Sequence, residues 1–373
     1  MAEEIGSLSV EQKIGQLFFI GLPDAELSHQ SSKLLREISP GGICLFSRNI
    51  KSAEQVRRLI SDVCSTLEIS PFVSLDQEGG VVDRLRRILT PMPAASSLAT
   101  EDDARALAKI TAEAVRMLGF NMNFAPVVDI IDDARAKFSN GLYSRAFGKT
   151  KETVVCFAGA YLETLQAAGC VGCLKHFPGL GSSRIDSHEA LPSVEVSEAE
   201  FYNLDLFPYI ELLKTQDVRA VMIAHAAFPH SDLQETDPNG KLLPASLSHN
   251  FITKLLREKL NFGGLVITDD LEMGAIVENY GIGEACVRAV EAGVDMPLIC
   301  GSADAVRAGF QTVLDAVRRR EINEKKIDHA LQRVAHLKNL LPAESAPFNN
   351  ERWKTLSEQI LQLNQKVNNQ LGG

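Results

Sequence analysis

Eight times along this chain a short apolar run is coupled to a stretch of helical periodicity, and that alternation leaves few folds open. The runs fall at 17–21, 42–46, 72–76, 121–127, 172–176, 220–225, 264–270 and 296–300. The helical patterns fall at 10–16, 31–38, 53–67, 104–118, 152–167, 198–214, 250–260 and 283–292. Strands separated by such helices pair in parallel through right-handed crossovers. Eight units closing on themselves make a (β/α)8 barrel, an α/β fold of about 250 residues before insertions. Long loops at 131–148, 177–197 and 226–249 account for the remaining length. A doubly wound open sheet would carry a Gly-X-Gly-X-X-Gly turn after its first strand. Gly21-Leu-Pro-Asp-Ala-Glu is no such turn, so the closed barrel is expected. Two helices over 303–341 complete a single catalytic barrel spanning 1–341. The remainder, 342–373, reads as a polar connector and an amphipathic helix whose apolar set, Trp353, Leu356, Ile360 and Leu363, packs on the barrel.

Charge and cysteine content narrow the function classes. The formal net charge is −10, and the one basic run, Arg318, Arg319 and Arg320, ends a helical pattern where cations suit the dipole. Nucleic-acid binding usually leaves a basic footprint, so no nucleic-acid partner is expected. The first residues show neither a basic nor an apolar leader region, and no window approaches 18 uninterrupted apolar residues. A cytoplasmic protein with no membrane association, working as a monomer, is the expectation. Seven cysteines sit mostly in apolar runs (Cys44, Cys156, Cys173, Cys300), the pattern of reduced, buried thiols. Cys170 and Cys173 form a lone Cys-X-X-Cys without a second pair at zinc spacing, and read as packing.

Chemistry collects where the apolar runs end, and in a barrel the carboxyl ends of the strands carry the active residues. The third run ends in Asp76-Gln-Glu-Gly-Gly, with Arg84 eight residues past Asp76. The loop after the fourth ends in Tyr143-Ser-Arg-Ala-Phe-Gly, which contains Arg145. The fifth ends in Lys175-His176, the sixth in His225 and the seventh in Thr268-Asp269-Asp270. Asp270 could cap the next helix, but two carboxylates are one more than a cap needs. Strand alternation sends the two in different directions, so at most one faces the barrel axis. His225 is open to two readings, a rim contact or a satisfied core histidine.

Past Lys175 and His176, Pro178, Gly179 and Gly181 break regular structure and deliver polar side chains on an irregular loop. Asp186 and His188 follow as Asp-X-His, close enough for the carboxylate to hold one imidazole nitrogen and leave the other for proton transfer. A fixed carboxylate, a separate acid/base and a set of Asp, Lys, His and Arg groups suit displacement at the anomeric carbon of a polyhydroxylated ligand, as in retaining glycoside hydrolysis. The usual acid/base there is a second carboxyl group, and none other than Asp186 stands out.

Four motifs together resemble glycoside hydrolase family 3: Leu75-Asp-Gln-Glu-Gly-Gly-Val-Val-Asp-Arg, Lys175-His-Phe-Pro-Gly, Asp186-Ser-His and Ile267-Thr-Asp-Asp-Leu-Glu-Met. They are similar in order and spacing, over roughly residues 8–340, to the single-domain bacterial β-N-acetylglucosaminidases of peptidoglycan recycling. The resemblance implies Asp269, rather than Asp270, as the nucleophile and His188 as the acid/base held by Asp186. It implies Asp76, Arg84, Arg145, Lys175 and His176 as ligands of the N-acetylglucosamine hydroxyls. The implied substrate is a muropeptide fragment, N-acetylglucosamine joined to 1,6-anhydro-N-acetylmuramic acid and its peptides. No cofactor and no metal is implied, and His176, His188 and His225 lack metal-ligand spacing. Many relatives have His where Leu180 stands, and the 182–185 segment is this chain's own, which bears on the leaving-group side of the site.

Three further readings use the same residues. A histidine acid/base would not repel phosphate as a carboxylate would, so a β-glycoside phosphorylase fits the set. A barrel lyase or isomerase would use Lys175 as a Schiff-base amine, although the Gly-rich phosphate loops after strands seven and eight are missing. A sugar-binding relic is opposed by the intact Asp186, His188 and Asp269.

Overall fold

A computed structural model describes residues 8–138, 140–187, 191–342 and 346–371. The eight strands are β1 (Phe19–Gly21), β2 (Gly42–Cys44), β3 (Phe72–Leu75), β4 (Met122–Asn123), β5 (Val171–Phe177), β6 (Ala220–Ile223), β7 (Leu265–Asp270) and β8 (Met296–Ile299). They close as a parallel barrel in sequential order, with β1 paired to both β2 and β8. Each of the eight expected runs supplies one of these strands. A short antiparallel hairpin, Gln77–Gly79 with Val82–Asp83, stands on the carboxyl end of β3.

Helix boundaries follow local chemistry. Ser28, Ser52, Thr100, Thr150 and Ser302 each accept a first-turn backbone N–H through the side-chain oxygen. Gly119 and Gly293 end their helices in the left-handed conformation, which costs a Cβ-less residue nothing.

Inside the barrel, Phe19 stacks on Phe72 and meets Phe124 edge-on, with ring centres at 5.9 and 5.5 Å. Met122, Val171, Cys173, Leu265, Ile267 and Met296 fill the layers around them. Val334 and Leu337, on the helix Glu324–Asn339, close the amino end of this inner core. The helix Asn350–Leu371 lies against Glu101–Leu118 and buries Leu356, Ile360, Leu363 and Val367, while Trp353 Nε1 donates to the Ile88 carbonyl at 3.1 Å.

Two expectations need correction. Cys156 is exposed, because it falls on the outward side of the helix Lys151–Ala167, where its thiol donates to Glu101 at 3.4 Å. Asp270 caps no helix: the next one, Gly274–Val277, starts after Met273, and Asp270 Oδ1 instead accepts the N–H of Glu272 and of Cys300. Among the described residues no helix is long and apolar enough to cross a membrane.

Candidate active site

Among the described barrel strands strict alternation fails at two places, and both lie at the carboxyl rim. Between Leu174 and Phe177 β5 carries one residue more than β6, and between Ile267 and Asp270 β7 carries one more than β8. Such bulges re-aim side chains. Here they fall on Lys175 and His176 in one strand and on Thr268 and Asp269 in the other.

The side chains so placed surround a cavity of about 160 Å³. Asp76, Arg84, Arg145, Lys175, His176, Asp186 and Asp269 all line it. His188 lies outside the described residues, but its neighbours Asp186 and Ser187 are part of the wall. Phe46, Phe124, Met222, Met273 and Leu180 supply apolar wall between the charges, the usual make-up of a small-molecule site. The second carboxylate of β7, Asp270, also reaches the lining, yet one of its oxygens is committed to two backbone N–H groups. Burial pushes its carboxyl up to about 6. Asp269 accepts only the adjacent Asp270 N–H on Oδ1, at 2.9 Å, among the bonds described.

An ion network organises one side of the cavity. Lys175 Nζ sits 2.7 Å from both Asp76 Oδ1 and Glu78 Oε1. Arg145 grips Glu78 through Nε and Nη2 at 2.8 and 2.9 Å, and the same Nη2 is 3.3 Å from His176 Nε2. Arg84 meets Asp76 Oδ2 at 3.3 Å and stands over the Phe46 ring. Burial alone would raise both carboxyls, but Lys175 and Arg84 hold Asp76 well below the usual range, and Arg145 and Lys175 hold Glu78 down at about 2. Burial would likewise release the Lys175 proton, and Asp76 and Glu78 outweigh it, so the ammonium is kept. A protonated, doubly paired lysine is a poor Schiff-base nucleophile, which removes the support for a lyase or isomerase centred on Lys175.

Two carboxylates in this network carry no role in the sequence reading. Glu78 was visible only as part of the acidic run after β3, and nothing in that run distinguishes a residue beneath the cavity from one facing it. Asp129 ends the apolar stretch Pro126-Val-Val, a signal of the same kind as Asp76. It holds His176 Nδ1 at 2.8 Å and takes the Leu180 N–H at 2.5 Å, so one carboxylate sets both the imidazole and the start of the following loop. Asn123 at the end of β4 clasps the Gln77 backbone through N–H and carbonyl, both at 2.9 Å, which fixes the segment carrying Asp76 and Glu78. His225 proves to be a core histidine: it is fully buried, with Nδ1 2.7 Å from Ser246 Oγ and Nε2 3.0 Å from the Asp270 carbonyl.

Comparison with known proteins identifies the family. Residues 9–337 match the model of the glycosyl hydrolase family 3 N-terminal domain. The chain is 30% identical to a β-hexosaminidase of Psychromonas ingrahamii over 351 residues, covering 91% of this chain and 96% of that one. It is 29% identical to β-hexosaminidase A of Pseudoalteromonas piscicida over 341 residues but spans only 56% of that protein's length. Its fold overlays a family 3 β-N-acetylglucosaminidase from Paenibacillus with a TM-score of 0.86 and 34% identity, covering 95% of this chain and 69% of that one. The chain belongs to glycosyl hydrolase family 3 and is a glycoside hydrolase.

Proposed function

We propose that this chain is a retaining exo-β-N-acetylglucosaminidase that removes terminal N-acetylglucosamine from peptidoglycan fragments, N-acetylglucosamine-1,6-anhydro-N-acetylmuramic acid and its peptides, in the cytoplasm. The observation that carries the reading is the convergence of Asp269, Asp186 and the network of Asp76, Arg84, Arg145, Lys175 and His176 on one sugar-sized cavity. The names of its relatives, β-hexosaminidase and β-N-acetylglucosaminidase, support the sugar class.

Asp269 attacks the anomeric carbon while His188, oriented by Asp186, donates a proton to the leaving oxygen. In the second half neutral His188 takes a proton from water, which attacks the glycosyl-enzyme and frees Asp269. Asp76 and the cations around it accept and donate hydrogen bonds to the ring hydroxyls, and the paired Lys175 stays charged throughout. Asp270, with one oxygen held by two N–H groups, keeps the β7 turn in place and leaves attack to its neighbour.

The experiment is turnover of 4-nitrophenyl β-N-acetylglucosaminide against the β-glucoside, with products identified in phosphate and in phosphate-free buffer. The reading expects a strong preference for the N-acetyl sugar and free N-acetylglucosamine in both buffers. Preference for the glucoside would overturn the substrate class, and a sugar phosphate as product would replace the hydrolase by a phosphorylase.

A further inference from the structure

Asp129 is buried behind His176 and Leu180, two residues of the cavity wall, and its two oxygens serve two different elements. Oδ2 accepts from the His176 ring at Nδ1, 2.8 Å away, and from the His176 backbone N–H at 3.3 Å. Oδ1 accepts from the Leu180 N–H at 2.5 Å. A carboxylate only accepts and a guanidinium only donates, so the two neighbours of the His176 ring agree on one tautomer. The proton sits on Nδ1 against Asp129, and Nε2, 3.3 Å from Arg145 Nη2, keeps its lone pair. From Leu180 the restraint runs on toward the loop's acidic residue. The Ser183 N–H donates to the Leu180 carbonyl at 3.0 Å, Ser183 Oγ donates to the Ile185 carbonyl at 2.6 Å, and Asp186 follows. Asn140 holds the same stretch through the Gly181 and Ser183 carbonyls at 3.2 and 2.9 Å. Gly181 packs on the Ile130 carbonyl, one residue past Asp129, where a Cβ would lie 2.5 Å from the oxygen.

We propose that Asp129 is a positioning residue of the reaction: it fixes His176 with Nε2 as an acceptor and sets where the loop bearing Asp186 and His188 begins, so that one side chain registers the sugar-binding wall against the acid/base. The inference rests on the proposed reading of the cavity as the site of the terminal sugar and of His188 as the acid/base. Neither task is open to a residue with one acceptor oxygen. In Asp129→Asn the amide keeps the shape of the carboxylate, but if its oxygen stays on the Leu180 N–H, its NH2 faces His176 Nδ1 and drives the ring proton to Nε2, where it meets the Arg145 donor. If the amide turns the other way, Leu180 loses its acceptor and the loop its anchor. A misplacement of about 1 Å at a reacting group can cost about 100-fold in rate.

The test has two parts. In nitrogen-15 spectra of histidine-labelled protein, with the His176 signals assigned by their loss in His176→Asn, the unmodified enzyme is expected to carry the neutral ring's proton on Nδ1. Asp129→Asn, with native circular dichroism retained, is expected to lose about tenfold in kcat/KM on 4-nitrophenyl β-N-acetylglucosaminide and about 100-fold on the phenyl glycoside, whose poorer leaving group needs the acid more. A structural role alone would lower both substrates equally. A ring proton on Nε2 in the unmodified enzyme, equal losses on the two substrates, or full activity in the variant would overturn the role of Asp129 while leaving the hydrolase in place. If the variant does not fold, the tautomer in the unmodified enzyme decides. Absence of turnover of any N-acetylglucosaminide by the unmodified enzyme would overturn the hydrolase reading and the role of Asp129 with it.

Discussion

Two lysines, one at each end of the barrel, are buried to nearly the same extent, Lys175 at 2% exposure and Lys338 at 6%. At the carboxyl end Lys175 stands between two carboxylates and keeps its proton against burial. At the amino end Lys338, on the helix that closes the barrel, finds the neutral Gln16 Oε1 at 2.9 Å and the Phe72 ring at 5.5 Å. Burial there pulls the amine down to about 7, with the Cys64 thiol opposing it only weakly. The same residue type at the same depth is thus an electrostatic fixture in one place and a desolvation cost in the other. Size does not distinguish the ends in the same sense: the amino-end recess bounded by Arg57, Arg116 and Lys338 holds about 780 Å³, against about 160 Å³ for the cavity proposed as the active site. What marks the working end is convergent charge of both signs, in keeping with the division of barrels into a catalytic face and a stability face.

The largest effect should come from removing the fixture. Lys175→Met leaves Asp76 and Glu78 buried without their shared cation, and breaking a buried pair in this way costs about 3–5 kcal/mol. Urea unfolding should show that loss, and kcat/KM on an aryl N-acetylglucosaminide should fall by about 100-fold or more as Asp76, Glu78 and Arg145 lose their arrangement. A variant with full activity would remove the network from the account.

A smaller effect of opposite sign is expected at the other end. Lys338→Met should raise stability at pH 7 by about 1–3 kcal/mol with turnover unchanged, because an apolar chain of similar length replaces a desolvated amine. The pH dependence has a definite direction. The folded amine titrates near 7 and the unfolded one near 10.5, so between those values the unfolded chain binds the extra proton and this group's penalty shrinks as pH rises. Below pH 7 the penalty is present in full. Unfolding curves from pH 6 to 10 should therefore show a rise in the parent that is absent from the variant. Loss of stability in Lys338→Met at pH 7 would contradict the comparison.

Much of this was legible in the sequence because it depends on local pattern. The eight strands and the helices between them follow from apolar periodicity and punctuation, and the rim charges follow from where the apolar runs stop. The bulges in β5 and β7 were not legible, since register is a property of two strands and not of one. They matter most at Asp269, where strict alternation predicted only that one of two carboxylates faces inward. Glu78 and Asp129 escaped for a related reason: their importance lies in what they hold, Lys175 and Arg145 in one case and His176 in the other, and those partners are 47 to 97 residues away in the chain. His225 could be settled only by Ser246 and the Asp270 carbonyl closing around it. Cys156 was misjudged because an apolar run on a helix still has an outward side.

The assignment of Asp269 as the nucleophile is tested most directly by trapping. Incubation with a 2-deoxy-2-fluoro glycosyl fluoride should leave a covalent sugar on the enzyme, and peptide mapping by mass spectrometry should place it on Asp269. A label on Asp270 or Asp186 would contradict the account.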